Sequence, residues 1–391
     1  MKVKVKSVIV FVANFFLKKK VKKIEDNSIW LCDLKPDVEF LYFDKDPVLS
    51  KNGGSDSFLK KGPIQPKFIP EYCSVFPQAP LDGRSFLCKL DYAELKGKHP
   101  IILKNSTFIR DTVFFSPRHD RFGAQVLSNL QSELRGLLSF RWQDENKESK
   151  DGRIDSAILL FSKWDHFGHW VPEHLLKLKM LVDALGDEAF KVNVIVEPNP
   201  PNWKMVILSA LGWADDKVIK WNVGQAKVDN LYFPSYPMPN YSGYVWLKKC
   251  LLAGLGGPTP EVKKRRLYLS RNKYGGRAVK NEPELESFLK AKGFEKIHSE
   301  ELSIEEQLAA FSNAEVVLGP HGSAFTNVIF GENLKVIEFF GKFVPLGFYC
   351  YSTVMGHEYL PLFCESGSNK NDDLIVNIEE LAIALCSLDV T

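Results

Sequence analysis

The sequence predicts an α/β protein of two lobes, because short buried strands alternate with helices in two separate stretches of the chain. The first stretch spans residues 157–221 and the second spans residues 266–340. Such alternation indicates a parallel sheet covered by helices on both faces. Proline and glycine are concentrated in residues 234–239 and 254–260, which we interpret as a hinge. We therefore expect two Rossmann-like lobes that face each other across a cleft.

The first lobe, placed at residues 111–240, shows its pattern from Ser156 onward. Its predicted elements are a strand over 157–161, a helix over 172–185, a strand over 191–196, a helix over 202–211 and a strand over 217–221. Gly186 follows the first helix, as expected of a residue that terminates helices. Residues 1–110, where glycines and prolines break short apolar runs, are assigned to a separate N-terminal region that is irregular but contains β-structure.

The second lobe, residues 241–391, resumes the alternation after a helix predicted near residues 244–252. Its further elements are a strand over 266–270, a helix over 282–292, a strand over 294–298, a helix over 303–311, strands over 314–319 and 334–340, and a closing helix over 378–388. Asn281 is placed as the cap of the helix over 282–292. Ser303 and Glu306 match the capping box, in which two side chains satisfy each other's backbone donors.

Composition places the chain among globular proteins and excludes several classes. The 391 residues are 45% hydrophobic and include 28 Phe and 8 Trp, which supply ample core material for two lobes. The net charge of +3 is too small to indicate a nucleic-acid partner. The seven cysteines are scattered and contain no C-x-x-C pair, which argues against a disulfide scaffold or a structural zinc site and favours a reducing compartment.

The N-terminus combines an apolar run with lysines. Residues 7–17 are apolar, and lysines precede and follow them. A helical membrane span needs about 20 residues, so this run is too short; it also lacks the small-residue site of a cleaved signal peptide. Two interpretations stay open, a membrane-surface anchor paired with anionic head groups and a buried first strand with solvated flanks. We expect a cytoplasmic protein, peripheral on the inner face of the cell membrane if residues 1–23 form the anchor.

The most informative motif is the turn Pro320-His321-Gly322, which leads from an apolar strand into a predicted helix. A helix N-terminus presents unpaired backbone N–H groups and favours anions. His321 can donate a ring N–H to a phosphate oxygen, and Gly322 permits close approach of the backbone. In the alternative interpretation, Gly322 serves the turn and His321 only packs. Glu338 lies near the end of the next predicted strand, where ligands bind in open α/β sheets. A phosphate-bearing ligand is the first hypothesis.

Arginines follow the first strand of the second lobe. Arg271 stands at the carboxyl end of the strand predicted over residues 266–270, and Arg277 comes shortly after it. Guanidinium groups placed there can bind a diphosphate through paired hydrogen bonds and stabilise its negative charge. Residues 263–266 are also basic, and we interpret them as a solvated face. Arg271 is the stronger candidate, and the role of Arg277 stays open.

Residues 164–174 contain two carboxylates, three histidines and two tryptophans directly after the first predicted strand. A carboxylate beside a histidine can act as a general base, and tryptophan faces can stack on sugars. Asp165, His169 and Glu173 are the candidate bases. His169 and Glu173 lie four residues apart and could share a metal ion, although this spacing alone is not a zinc signature. A third interpretation is that these polar side chains are partly buried and satisfy one another.

Asp44-Lys45-Asp46 follows an apolar run and could hold a divalent metal on a diphosphate. Such triplets arise often by chance in a chain with 48 acidic residues. This one lies outside both α/β patterns. We therefore expect no metal site.

An ordered series of motifs runs through both lobes. It consists of Gly168, His169, Trp170 and Glu173, then residues 266–271, Asn281 with Glu282, Gly293 with Phe294, Gln307, residues 319–327 and residues 336–338. This series resembles glycosyltransferase family 61, which includes xylosyltransferases, N-acetylglucosamine transferases and proteins of capsule and surface-polysaccharide synthesis. The resemblance covers roughly residues 157–340, and the region before Asp111 shows none.

The resemblance implies a GT-B fold, a nucleotide-sugar donor bound in the C-terminal lobe, inversion at the anomeric carbon, and no metal or other cofactor. Carried onto this chain, it implies that a set of residues binds the donor: Arg271, Arg277, His321, Gly322, Ser323, Asn327 and Glu338. Within this set Glu338 is expected to bind the ribose hydroxyls. His169 and Glu173 rank above Asp165 as the catalytic base. The family more often has Ala or Gly-Leu where this chain has residues 323–325.

The function predicted from these observations is transfer of a sugar from a nucleoside diphosphate to a hydroxyl of a glycan or glycolipid acceptor in surface-polysaccharide synthesis. Two alternatives stay open. Sugar-nucleotide 2-epimerases also use two Rossmann-like lobes and bind the same ligands. A non-catalytic glycan-binding subunit is the other alternative, although the dense cluster at residues 164–174 argues against it.

Overall fold

The computed structural model describes most of both predicted lobes. The described residues are 19–24, 26, 39–43, 86–110, 121–138, 152–222, 224–235, 239–257, 264–273, 275–345, 347–366 and 371–390. The apolar run at residues 7–17 and the triplet Asp44-Lys45-Asp46 lie outside them, so the hypotheses about these two segments stay predictions.

The first sheet has eight strands and mixes parallel with antiparallel pairing. Its strands are β1 (Glu39–Phe43), β2 (Phe86–Lys96), β3 (Ile101–Lys104), β4 (Thr107–Phe108), β5 (Gly152–Leu159), β6 (Asn193–Val196), β7 (Val218–Lys220) and β8 (Gln225–Pro234). The order is β4-β3-β2-β8-β5-β6-β7, with β1 beside β2. The sequence did not predict the antiparallel part of this sheet, in which β2 pairs with β8 along nearly its whole length.

The parallel half of this sheet, β8-β5-β6-β7, matches the predicted alternation. Its helices are α1 (Arg121–Leu138), α2 (Leu175–Leu185), α3 (Asn202–Ala210) and α4 (Tyr241–Gly254). Short helical turns at Phe167–His169 and Trp170–His174 lead directly into α2, so the helix expected from residue 172 begins five residues earlier. Asn240 caps α4 by accepting a hydrogen bond from the Gly243 backbone N–H at 2.7 Å.

The second sheet is entirely parallel, as predicted. Its strands are β9 (Arg265–Leu269), β10 (Phe294–Ile297), β11 (Ala314–Pro320), β12 (Lys335–Phe340) and β13 (Glu358–Phe363), in the order β10-β9-β11-β12-β13. The chain leaves β9 toward β10 on one side and returns to β11 on the other. The carboxyl ends of β9 and β11 therefore flank the point where strand order reverses, which is where open α/β sheets bind ligands.

The helices of this half are α5 (Glu282–Ala291), α6 (Ile304–Ser312), a 3₁₀ helix (Ser323–Phe330), α7 (Gly347–Met355) and α8 (Ile378–Ser387), and β14 (Glu365–Ser366) pairs with β15 (Leu374–Ile375). The capping box of Ser303 and Glu306 is confirmed. Asn281 occupies the predicted N-cap position of α5, but its side chain makes no capping hydrogen bond and instead exchanges two hydrogen bonds with the backbone of Val376. Neither α7 nor β13 was predicted.

One hydrophobic core draws on both sheets. Buried side chains of α2 and α4, such as Leu176 and Tyr244, belong to the same cluster as Phe325 and Val328 of the 3₁₀ helix. Helix α4 contacts both α2 and the 3₁₀ helix. The start of α2 and the turn after β11 are therefore held against a common core, although they are about 150 residues apart in the chain.

Residues 19–24 are helical, and Val21 and Ile24 pack against Ile101 and Val126 of the first half. The lysine side chains of this segment are exposed. Of the helices that the structure describes, none combines the length and the apolar character that a membrane span requires.

Candidate active site

Arg271 and Gly322 meet at the carboxyl ends of β9 and β11. A Cβ atom placed on Gly322 would lie 2.1 Å from Nη1 of Arg271 and 3.1 Å from its Cζ. The φ angle of Gly322 is 177°, an extended conformation that any residue adopts. Glycine is therefore needed here because the guanidinium lies directly against the backbone, and not because of a special dihedral angle.

Arg271 and Arg277 form a pair of guanidinium groups that make no ion pair within 4.0 Å among the described residues. The carboxylates that act on them electrostatically are Glu300 for Arg271, and Asp372 and Glu338 for Arg277. The Arg271 Nε donates to the Gly276 carbonyl at 3.3 Å, and the Arg277 Nε has no hydrogen-bond partner among the described residues. Burial lowers the pKa of both side chains, and for Arg277 the charge of Arg271 lowers it further. Two partly buried cations that repel each other are suited to bind an anion with several oxygens, such as a diphosphate.

His321 faces this pair and is held by a buried carboxylate. Its Nδ1 lies 2.5 Å from Oε1 of Glu338, and the Tyr359 hydroxyl donates to the other oxygen, Oε2. Burial raises the pKa of Tyr359 well above its usual value, and Glu338 adds to the shift, so this hydroxyl remains a donor. Phe340 and Phe348 pack on the His321 ring. With Nδ1 engaged, Nε2 is the ring nitrogen available to a ligand.

The ribose contact expected for Glu338 is not supported by its environment. The side chain is fully buried, and both carboxylate oxygens are already engaged by His321 and Tyr359. The sequence correctly placed Glu338 at the ligand-binding end of β12. Its contacts, however, are those of a residue that orients His321.

The turn after His321 is a 3₁₀ helix, where the sequence predicted only a helix. The hydrogen bonds of the described residues give the backbone N–H groups of Gly322 and Ser323 no acceptor, so both can donate to an anion. Asn327 does not share this exposure. It is fully buried and donates to Gln307 at 2.8 Å and to the Ala324 carbonyl at 3.2 Å, so it supports the turn from below.

The second candidate cluster is a histidine–carboxylate pair at the start of α2. Nδ1 of His169 lies 2.7 Å from Oε1 of Glu173, and both side chains are partly exposed. Pro172 lies between them and has no backbone N–H, which interrupts the regular helical hydrogen bonds. The chain widens there into a π-helical turn in which the Leu175 N–H donates to the Trp170 carbonyl five residues back. Such turns are common at functional sites.

Trp170 anchors this turn to the first sheet. Its ring is fully buried, and its Nε1 donates to the Leu160 carbonyl at 2.8 Å. The indole therefore fixes the position of His169 relative to the end of β5. The sugar-stacking role considered for the tryptophans of this segment does not apply to Trp170, since its ring has no accessible face.

The two clusters are brought together where Gly168 touches Ser323. A Cβ on Gly168 would lie 3.0 Å from Oγ of Ser323. We call Arg271, Arg277, His321 and the backbone N–H groups of Gly322 and Ser323 the candidate anion cradle. Gly168 precedes His169, and Ser323 belongs to this cradle. The candidate base and the anion cradle are therefore neighbours.

Asp165 lies in a separate, closed network. The ammonium of Lys204, which is fully buried, lies 2.6 Å from Oδ2 of Asp165 and 2.5 Å from Oε1 of Glu197. The remaining oxygens, Oδ1 of Asp165 and Oε2 of Glu197, are buried and have no partner among the described groups. A proton shared between the two carboxyl groups would satisfy both oxygens. Burial raises the pKa of Asp165 to about 8 although Lys204 opposes the shift, which agrees with a bound proton near neutral pH.

Sequence reasoning missed Glu197, Lys204 and Tyr359. Glu197 directly follows β6, and the carboxyl end of a parallel strand was a signal that could have found it. Lys204 stands on an otherwise apolar helix, which also marks it as unusual. Tyr359 lies on a strand that the pattern did not reveal. In the described part of the chain, no group of three or more His, Cys, Asp or Glu side chains is arranged to bind a metal ion.

Gly322→Ala should weaken anion binding without unfolding the protein. The added methyl group overlaps the Arg271 guanidinium, which must leave the cradle. A charge-assisted hydrogen bond contributes about 1.5–3 kcal/mol, so calorimetric affinity for pyrophosphate should fall roughly 10- to 100-fold. Gly347→Ala is the matched control, because a Cβ there meets no heavy atom within 4 Å. Unchanged pyrophosphate affinity in Gly322→Ala would contradict the cradle.

Asp165→Asn should reduce the pH dependence of stability. The proton on Asp165 contributes stability that is fully present below its unfolded pKa of 3.8 and is lost as the pH rises through about 8. The carboxamide has no proton to lose. Between about pH 5.5 and about pH 8.5, the thermal midpoint of the wild type should therefore fall relative to that of the variant.

Burial also lowers the pKa of Lys177 to about 8. Its contribution to stability increases only as the pH rises above this value. Lys177 is present in both the wild type and Asp165→Asn. Asp216→Asn, which changes an exposed carboxylate of the same lobe, is the control. Parallel pH curves for wild type and Asp165→Asn would exclude the shared proton.

A comparison with protein families matches residues 167–337 to the family model described as Glycosyltransferase 61. A search of curated proteins finds no match to the chain. The matched residues begin at the turn that carries His169 and Glu173, include Arg271 and the His321 turn, and end on β12. Residues 167–337 are therefore similar to glycosyltransferase family 61.

Proposed function

We propose that the chain is an inverting, metal-independent glycosyltransferase that moves a sugar from a nucleoside-diphosphate sugar to a hydroxyl of a glycan or glycolipid acceptor in surface-polysaccharide synthesis. The observation that carries the proposal is the contact of Gly168 with Ser323, which places a histidine–carboxylate pair beside an anion cradle. The proposal includes a GT-B arrangement, with the donor on the second sheet and the acceptor approaching from the first.

On the donor side, the diphosphate lies against Arg271, Arg277 and the turn after β11. The two guanidinium groups and the N–H groups of Gly322 and Ser323 supply donors from several directions. Nδ1 of His321 is engaged by Glu338, so an Nε2–H of this ring would donate to a phosphate oxygen. These fixed cations supply the charge stabilisation for which many transferases use a divalent metal.

On the acceptor side, His169 is the base and Glu173 is the residue that orients it. With Nδ1–H donating to Glu173, the neutral ring carries its lone pair on Nε2, which can accept a proton from an acceptor hydroxyl. The carboxylate of Glu173 then stabilises the imidazolium that forms. Asp165 is less suited to this role, because Lys204 and Glu197 enclose its carboxyl group.

The acceptor oxygen attacks the anomeric carbon from the face opposite the diphosphate and gives its proton to Nε2 of His169. The bond from the anomeric carbon to the diphosphate breaks, and its electron pair goes to the leaving oxygen. The arginines and His321 stabilise the charge that develops there. Attack from the opposite face inverts the anomeric configuration.

The test is release of nucleoside diphosphate from a panel of sugar nucleotides, with EDTA present throughout, with and without a glycan acceptor extract. One donor should support release that depends on acceptor and survives EDTA. His169→Ala should lower kcat by about 10²- to 10⁴-fold, as expected for loss of a general base, and should leave donor affinity nearly unchanged. Asp187→Ala, which removes an exposed polar side chain just after α2, is the control.

Three outcomes would contradict the proposal. Activity that EDTA abolishes would exclude a metal-independent mechanism. Isomerisation of the donor without release of nucleoside diphosphate would indicate an epimerase. Full activity in His169→Ala would remove the assignment of the base.

Glu338→Gln should act through His321. If the carboxylate only orients the imidazole, then the double variant should have nearly the same kcat/KM as His321→Ala alone. The effects of substitutions at residues in contact are not additive. An independent ribose contact by Glu338 would instead make the two losses in kcat/KM multiply. Glu358→Gln, on an exposed carboxylate at the start of β13, controls for the loss of charge.

A further inference from the structure

Phe343 is an exposed aromatic side chain at the rim of the anion cradle. Its side chain is 54% exposed, whereas the phenylalanines that pack on His321 from the other directions, Phe340 and Phe348, are buried. The Phe343 ring meets the His321 ring edge-to-face at 5.7 Å, and the Arg277 guanidinium lies over it at 5.9 Å. An apolar ring is therefore presented to solvent directly beside the two cationic or ionisable side chains Arg277 and His321.

The backbone of Phe343 is fixed, so this exposure is built into the fold. The carboxylate of Asp372 accepts hydrogen bonds from the backbone N–H groups of Lys342 and Phe343, at 3.0 and 3.1 Å. Gly341 leaves room for this carboxylate, because a Cβ there would lie 2.5 Å from its Oδ1.

The segment that contains Asp372 also holds Arg277. The carbonyl of Asn371, the residue before Asp372, accepts from the Arg277 backbone N–H at 2.8 Å. One short segment therefore sets the position of an anion-binding cation and of an exposed aromatic ring together. A ligand that satisfies both must carry an anionic group and a flat apolar face a short distance apart.

We infer that Phe343 is the stacking platform for the nucleobase of a nucleoside diphosphate whose phosphates lie in the cradle of Arg271, Arg277 and His321. The inference rests on the proposed function, because it places the base of the same donor. A nucleobase has the flat π-face that a phenyl ring accepts, and stacking of this kind tolerates different bases. Phe343 would therefore add affinity for nucleotides in general and leave the choice of base to other groups.

The test compares ligands that contain or lack each part of the donor. Calorimetry measures the affinity of the wild type, Phe343→Ala and Phe343→Tyr for ADP, CDP, GDP and UDP, for pyrophosphate, and for the sugar nucleotide of the diphosphate bound most tightly. Ile383→Ala removes an exposed apolar side chain from α8 and is the matched control.

Phe343→Ala should weaken binding of that diphosphate on the order of 10- to 100-fold, as expected for loss of one base–aromatic stack, and Phe343→Tyr should restore it. Pyrophosphate affinity should not change. Equal losses for pyrophosphate and nucleoside diphosphate would overturn the inference, since Phe343 would then only support Arg277. A loss confined to the sugar nucleotide would overturn it in favour of contact with the sugar.

The failure of the inference can be told apart from failure of the proposed function. If the wild type binds none of the four nucleoside diphosphates, the donor site itself is wrong, and the role of Phe343 falls with it. If the wild type binds one of them and Phe343→Ala binds it equally well, only the stacking platform is wrong.

Discussion

The contact between Gly168 and Ser323 is the constraint on which the site depends. In the reaction that we propose, neither half-site is sufficient for transfer, because a base without an anion cradle has no leaving group to assist, and a cradle without a base cannot activate an acceptor. Gly168 favours the close approach of the turn that carries His169, since a Cβ would lie in a tight contact 3.0 Å from Oγ of Ser323. The shared core of α2, α4 and the 3₁₀ helix holds both sides of this contact in place.

Two histidine–carboxylate pairs lie on the two sides of this contact, and their environments differ. Glu338 is fully buried beneath His321 and also accepts from Tyr359, so its geometry is fixed from two directions. Glu173 is partly exposed and sits on a π-helical turn created around Pro172. The same pair of residue types can therefore serve an anion on one side and a proton acceptor on the other. This assignment is part of our proposal.

A polar network centred on a buried lysine lies beside the first sheet. Lys204 is fully buried between two carboxyl groups, and it also lies 5.1 Å from the Trp170 ring and 5.4 Å from the Trp203 ring. Such a network is costly to desolvate unless each group is paired. The network lies beside the turn of Trp170 and His169, which indicates that it fixes that turn. Asp165 therefore lies in the candidate motif of residues 164–174 although its carboxyl group is enclosed.

The sequence by itself determined the parallel second sheet, the capping box at Ser303, and the location of Arg271, His321 and Glu338 at the ends of strands, because these features depend on local periodicity and on residues close in the chain. It also identified His169 and Glu173, four residues apart, as a candidate pair. Pairing of β2 with β8, the burial of Glu338 and Asn327, and the contact of Gly168 with Ser323 depend on residues far apart in the chain. Only the tertiary structure decided these, since a local pattern records which residues prefer burial but not which distant groups they meet when buried.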